Sequence, residues 1–200
     1  MTNGTTLFLA IFWAVLAFPP SGLRTIPAQS ATEQKTEITA SNWQQNPQIK
    51  AIRRIVAATD AALKSHTFKT SERRFEYCDN AQLTVTRTAH DSKGAVPWYE
   101  NYSEGQDASW DFFYYYDSAA RLRFVSATAR STNGTRELLH IYFDESGKRL
   151  WKTDKLLAGT GCPGCFSAYA NSDEKLVFDP AKDLRSGDGC KEITPNPKTK

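Results

Sequence analysis

The sequence predicts an α+β domain: an N-terminal amphipathic helix packed on a five- to six-stranded antiparallel sheet, a meander, followed by an irregular, disulfide-tied C-terminal region. Three observations carry this. Residues 109–155 hold four runs rich in aromatic and β-branched side chains, separated by short Asp, Ser, Asn and Gly clusters, the pattern of strands joined by hairpin turns. Residues 48–64 place Ile49, Ile52, Ile55, Val56, Thr59 and Leu63 on one stripe at helical spacing. Cys78, Cys162, Cys165 and Cys190 make an even set.

In chain order, Leu7 to Phe18 is an apolar run of 12 residues. It is too short to span a bilayer, which takes about 20 residues, and suits the core of a secretory signal peptide. Ala28-Gln29-Ser30 offers small residues for cleavage, so residues 1–30 are expected to be removed and the mature protein to be secreted or periplasmic. Residues 31–46 are polar and without period, the composition of a flexible leader. Asn46-Pro47 then opens the helix, with proline at a position that lacks a hydrogen-bonding partner anyway. Lys50, Arg53, Arg54, Asp60 and Lys64 take its wet side. One domain is expected over 47–193, and 194–200 as a disordered tail.

Residues 67–78 and 82–90 add one or two strands to the four of the meander. Within the meander Leu122, Phe124, Ser126 and Thr128 alternate with Arg121, Arg123, Val125 and Ala127, and Leu138, His140 and Tyr142 alternate with Glu137, Leu139, Ile141 and Phe143, so one dry and one partly wet face are expected. Asn133-Gly134 is the strongest turn signal, because both residues tolerate positive φ. Residues 115–122 echo 142–150: aromatics, an Asp that opens a turn, a long basic residue, then Leu. Residues 77–83 are a weaker third copy, and convergent hairpin chemistry explains the echo without a repeat array.

A formal charge of +3 with dispersed Lys and Arg gives no reason to expect nucleic acid or a membrane surface as a partner of the mature form. There is no phosphate loop and no dinucleotide fingerprint, and no cofactor is expected. His66, His90 and His140 lack metal-ligand spacing, and no metal site is expected. Asn101-Tyr102-Ser103 and Asn133-Gly134-Thr135 are glycosylation sequons.

Two functional possibilities remain. Residues 91–108 read as a long irregular loop, and Trp98, Tyr99 and Tyr102, with Trp110 just beyond it, are amphipathic aromatics suited to a protein, peptide or glycan ligand. Glu100, Glu104, Asp107 and Asp111 are candidates for an acid pair or a calcium site, but they lack the calcium-loop pattern and a solvated acidic loop is the plainer account. This points to an exported, non-enzymatic binding or inhibitor-like protein. The alternative is a thiol–disulfide oxidoreductase using Cys162-Pro163-Gly164-Cys165, since a C-x-x-C pair can lower one thiol's pKa. The motif follows a meander rather than opening a helix, which favours structural disulfides, whose connectivity has three possibilities.

The plan of leader, helix and hairpins of the form Tyr-Tyr-Asp-x-x-x-Arg-Leu and Tyr-Phe-Asp-x-x-Gly-Lys-Arg-Leu resembles uncharacterised secreted or periplasmic bacterial proteins with one helix and an antiparallel meander. The resemblance covers roughly 46–157 and implies the fold alone, since that family has no assigned activity to carry over.

Overall fold

The computed structural model describes residues 37–78, 81–160 and 191–193, which belong to one compact unit beginning at Glu37. The signal peptide, Cys162, Cys165, Cys190 and the 194–200 tail lie outside the described residues. The expected leader over 31–46 is structured in its described part. Residues 43–45 form a 3-10 turn, and Trp43 stacks on Trp151 at 6.2 Å while the Arg53 guanidinium sits 4.9 Å from its ring centre. Tryptophan and isoleucine in an otherwise polar segment were the signal: Ile38 and Trp43 both pack against the helix-side core.

Helix α1 spans Pro47–Lys64. Asn46 caps it, its side chain accepting hydrogen bonds from the backbone N–H groups of Gln48 (2.9 Å) and Ile49 (3.2 Å). Ile49, Ile52 and Thr59 are buried, as the stripe predicts.

Seven antiparallel strands follow, each paired with its chain neighbours: β1 (Lys69–Cys78), β2 (Ala81–His90), β3 (Trp98–Glu104), β4 (Ala108–Tyr116), β5 (Leu122–Ser131), β6 (Arg136–Phe143) and β7 (Arg149–Ala158). A two-residue strand, β8 (Lys191–Glu192), pairs with the outer edge of β1. The expected count of five to six is corrected to seven by β3, which occupies the middle of the supposed long loop. Pro97 just before it and four polar residues within it, Glu100, Asn101, Ser103 and Glu104, hid it. Leu156, Leu157 and Ala158, expected to be irregular, extend β7.

The turns explain the echo in the sequence. Asp117 Oδ1 accepts the N–H groups of Ala119 and Arg121. Asp144 Oδ1 accepts those of Ser146 and Lys148, and Asp91 Oδ1 those of Lys93 and Ala95. Each five-residue turn also carries the same two backbone bonds, from its first residue to its last carbonyl and from its fourth residue back to its first carbonyl. The Ser131–Thr135 turn has the same backbone pattern. The fourth residue has positive φ in all four: Gly94, Ala120, Gly134 and Gly147. The same turn recurs at 91–95, whereas Asp79 and Asn80 of the weaker copy at 77–83 lie outside the described residues.

Both faces of the sheet carry a buried apolar cluster. On the face toward α1, the register aligns Ala89, Trp98, Tyr115, Phe124, Tyr142 and Trp151 in one row across six strands. The helix sits on this row through Ile49, Ile52, Val56 and Leu63. On the opposite face Tyr99, Tyr114, Val125, Ala127, Ala129, Leu139, Ile141 and Phe143 are buried. There Phe112 stands opposite Ala127 and Trp110 opposite Ala129, so large and small side chains alternate between strands.

Candidate functional site

The helix-side face changes character one row away from the helix. The next row runs Glu72, Arg87, Glu100, Phe113, Ser126, His140 and Thr153. The row after it runs Arg74, Val85, Tyr102, Asp111, Thr128, Leu138 and Lys155, and a fourth includes Glu104, Ser109 and Arg130. Successive side chains on a strand alternate faces, so residues two apart share one. The polar members of β1–β5 thus gather on one patch beyond the end of the helix-covered strip.

Arg87 anchors the patch. Its Nη1 donates to Glu100 Oε1 at 2.6 Å and its Nε to Glu72 Oε2 at 2.7 Å. Glu72 also accepts from Arg74 at 2.7 Å, and the hydrogen bonds from Arg87 and then Arg74 hold its carboxyl below the usual range. Glu100 is buried, its side chain 8% exposed. Tyr102 donates to Glu104 Oε2 at 3.0 Å; burial, and then Glu104, push its phenol upward.

Asp111 is the member without a partner. Its Oδ1 is buried and accepts no hydrogen bond. Burial, followed by the neighbouring Glu100 charge, raises its pKa to about 6, against the pull of Arg130 and Arg87. Glu100 and Asp111 lie on adjacent strands in diagonal register, with Phe113 opposite the first and Tyr102 opposite the second. Both sit on strands, which corrects their expected place in an irregular loop. Glu104 ends β3 on the same face, and Asp107 stands in the β3–β4 turn, its carbonyl accepting Thr132 N–H at 2.9 Å.

Beside the pair, where the β3–β4 turn meets the end of β5, lies a hollow of about 230 Å³ lined by Glu104, Gln106, Ser109, Arg130 and Thr132 among others. Among the described residues Arg130 makes no ion pair, whereas Arg73, Arg74, Arg87, Arg121 and Arg123 all do.

The four aromatics singled out in the sequence are not brought together. Trp98 is buried under the helix, stacked on Phe113 at 6.2 Å, and Tyr99 is buried on the opposite face against Tyr114 at 5.7 Å. Trp110 is half-buried on that same opposite face, with its indole N–H unpartnered. Tyr102 alone lies on the polar patch. The sequence missed Arg87 and Arg130. Their signal was alternation: Leu83, Val85, Arg87 and Ala89 share a face, and a basic residue in such a series marks where the dry strip ends.

Elsewhere, His140 is half-buried against Phe124 (5.3 Å), and burial, then Arg53, lowers its pKa. Asp91, beside His90, is committed to its turn. Among the described residues no group of three or more His, Cys, Asp or Glu could hold a metal ion, and no helix is long and apolar enough to cross a membrane. No protein-family model, curated protein or solved structure matches this chain.

Proposed function

We propose that this is an exported, non-enzymatic binding protein whose ligand docks on the polar patch of the helix-side sheet face. The observation that carries the proposal is Asp111: a carboxyl oxygen buried without a partner, beside a second buried carboxylate, on the part of the face that the helix leaves uncovered. Burying an unsatisfied charged group is costly, and such groups concentrate where a ligand completes them. Tyr102 and Arg130 flank it with an aromatic surface and a guanidinium, and the Leu7–Phe18 run supports export. A ligand that presents a hydrogen-bond donor or positive charge to Asp111 fits this arrangement.

The test is a thermal-shift screen of the wild-type chain against a defined panel of amines, amino acids, sugars and short peptides, repeated on Asp111→Asn. A ligand of the native state raises Tm by mass action. We expect at least one panel compound to stabilise the wild type and to lose most of that effect in Asp111→Asn. A panel that shifts both proteins alike overturns the proposal.

A further inference from the structure

The hollow beside Asp111 points to a chemical class of ligand. Glu104, Ser109 and Arg130 stand directly opposite one another on β3, β4 and β5, so an acid, a hydroxyl and a base follow in one cross-strand row. Neighbouring strands lie about 4.8 Å apart, so the backbones of Glu104 and Arg130 are separated by about 10 Å across Ser109. Both side chains are exposed and both line the hollow. They make no ion pair with each other, and the acid is already oriented by the Tyr102 hydroxyl. Arg130 offers a planar fork suited to a carboxylate, and Glu104 faces it across the gap as the acceptor for an ammonium group.

We infer that this hollow takes a small zwitterion of amino-acid size, its carboxylate on Arg130, its ammonium group on Glu104, and Ser109 bridging between them. The inference rests on the binding reading above and assigns the ligand class to it. A monovalent cation or anion would satisfy one wall and leave the other unmatched. A zwitterion satisfies both, through a charge-assisted hydrogen bond at each end.

The experiment is a titration of the isotope-labelled full chain with β-alanine, followed by amide chemical shifts in the β3–β4 turn and at the end of β5. Propanoate and ethylammonium serve as its singly charged halves. Saturable shifts at Glu104, Ser109 and Arg130 are expected with β-alanine and not with either half. Arg130→Gln and Glu104→Gln should each weaken binding about tenfold or more, the usual worth of a hydrogen bond to a charged group. Equal shifts from the halves, or unchanged affinity in both variants, overturn the inference. No response to β-alanine, with a panel compound still lost in Asp111→Asn, overturns the zwitterion and leaves the binding face standing. Silence in both assays overturns both.

Discussion

The same six strands build two different surfaces within one face of one sheet. Along the row from Ala89 to Trp151 the side chains are apolar and aromatic, and α1 seals them. Two residues further along each strand the series holds Arg87, Glu100, Ser126, His140 and Thr153, and two further still Tyr102, Asp111, Thr128 and Lys155. Strand pairing is indifferent to this change, because the backbone ladder is continuous through both. What differs is the cover. A helix of 18 residues lies across one strip and not the other, where Glu72, Arg74, Arg87 and Glu100 pair among themselves. The difference teaches that the architecture assigns stability to one strip and leaves the other free to hold groups, such as Asp111, that stability alone would not favour.

The comparison can be broken most decisively on the covered strip. Ile52 is fully buried there, and Ile52→Ala should cost about 3 kcal/mol through lost transfer energy and the cavity left behind. Thr128→Ala, on the polar row, should change stability by less than about 0.5 kcal/mol. Urea unfolding midpoints at constant slope measure both. Comparable losses in the two variants would erase the division of the face.

The uncovered strip is sharpened by pH. Asp111 has a folded pKa near 6 and an ordinary unfolded value of 3.8, so folding favours its neutral form. Its contribution is fully present below about pH 4 and is lost as pH rises through about 6. Partial exposure discounts the full linkage, leaving about 1–2 kcal/mol lost at pH 7. Asp111→Asn should therefore be more stable than wild type at pH 7 and no more stable at pH 4. Glu72, whose pKa is lowered, works in the opposite sense, and the difference between wild type and variant isolates Asp111. A pH-independent difference would show that the carboxyl is not strained.

The smallest effects are expected at the turns. Gly147 and Ala120 occupy equivalent positions at φ +82 and +57. Gly147→Ala should destabilise by about 1 kcal/mol, and Ala120→Gly should stabilise by about 0.5 kcal/mol, the left-handed strain relieved exceeding the added chain entropy. Thermal or urea unfolding resolves both, and changes of the same sign would contradict the equivalence.

The helix and the four hairpin strands were legible because their signals are local. Ile49, Ile52 and Val56 recur at helical spacing, and Asp144 to Gly147 is a turn whatever surrounds it. Strand β3 was not, because Glu100, Asn101 and Tyr102 are chosen by neighbours on β2 and β4 rather than by strand propensity. Asp91 and Gly94 hold the spacing of Asp144 and Gly147, and would have marked the turn that leads into it. The candidate site was half legible. Glu100 and Asp111 stood out as carboxylates, but their convergence depends on register between strands, which no single segment encodes. The aromatics misled for the opposite reason, since a loop exposes its Trp and Tyr and a central strand buries them.

The meander has a kinetic consequence. Each strand from β1 to β7 finds its partner immediately next in the chain, so loop closure is cheap at every step and contact order is low for a sheet of this size. The pairing of β8 with β1 breaks this rule: within it Glu192 returns to Arg73 across 119 residues, its carboxylate gripped by Nε at 2.9 Å and Nη2 at 2.8 Å. Closing the chain into that clasp costs more conformational entropy than closing any one hairpin of the meander, because the loop is so much longer.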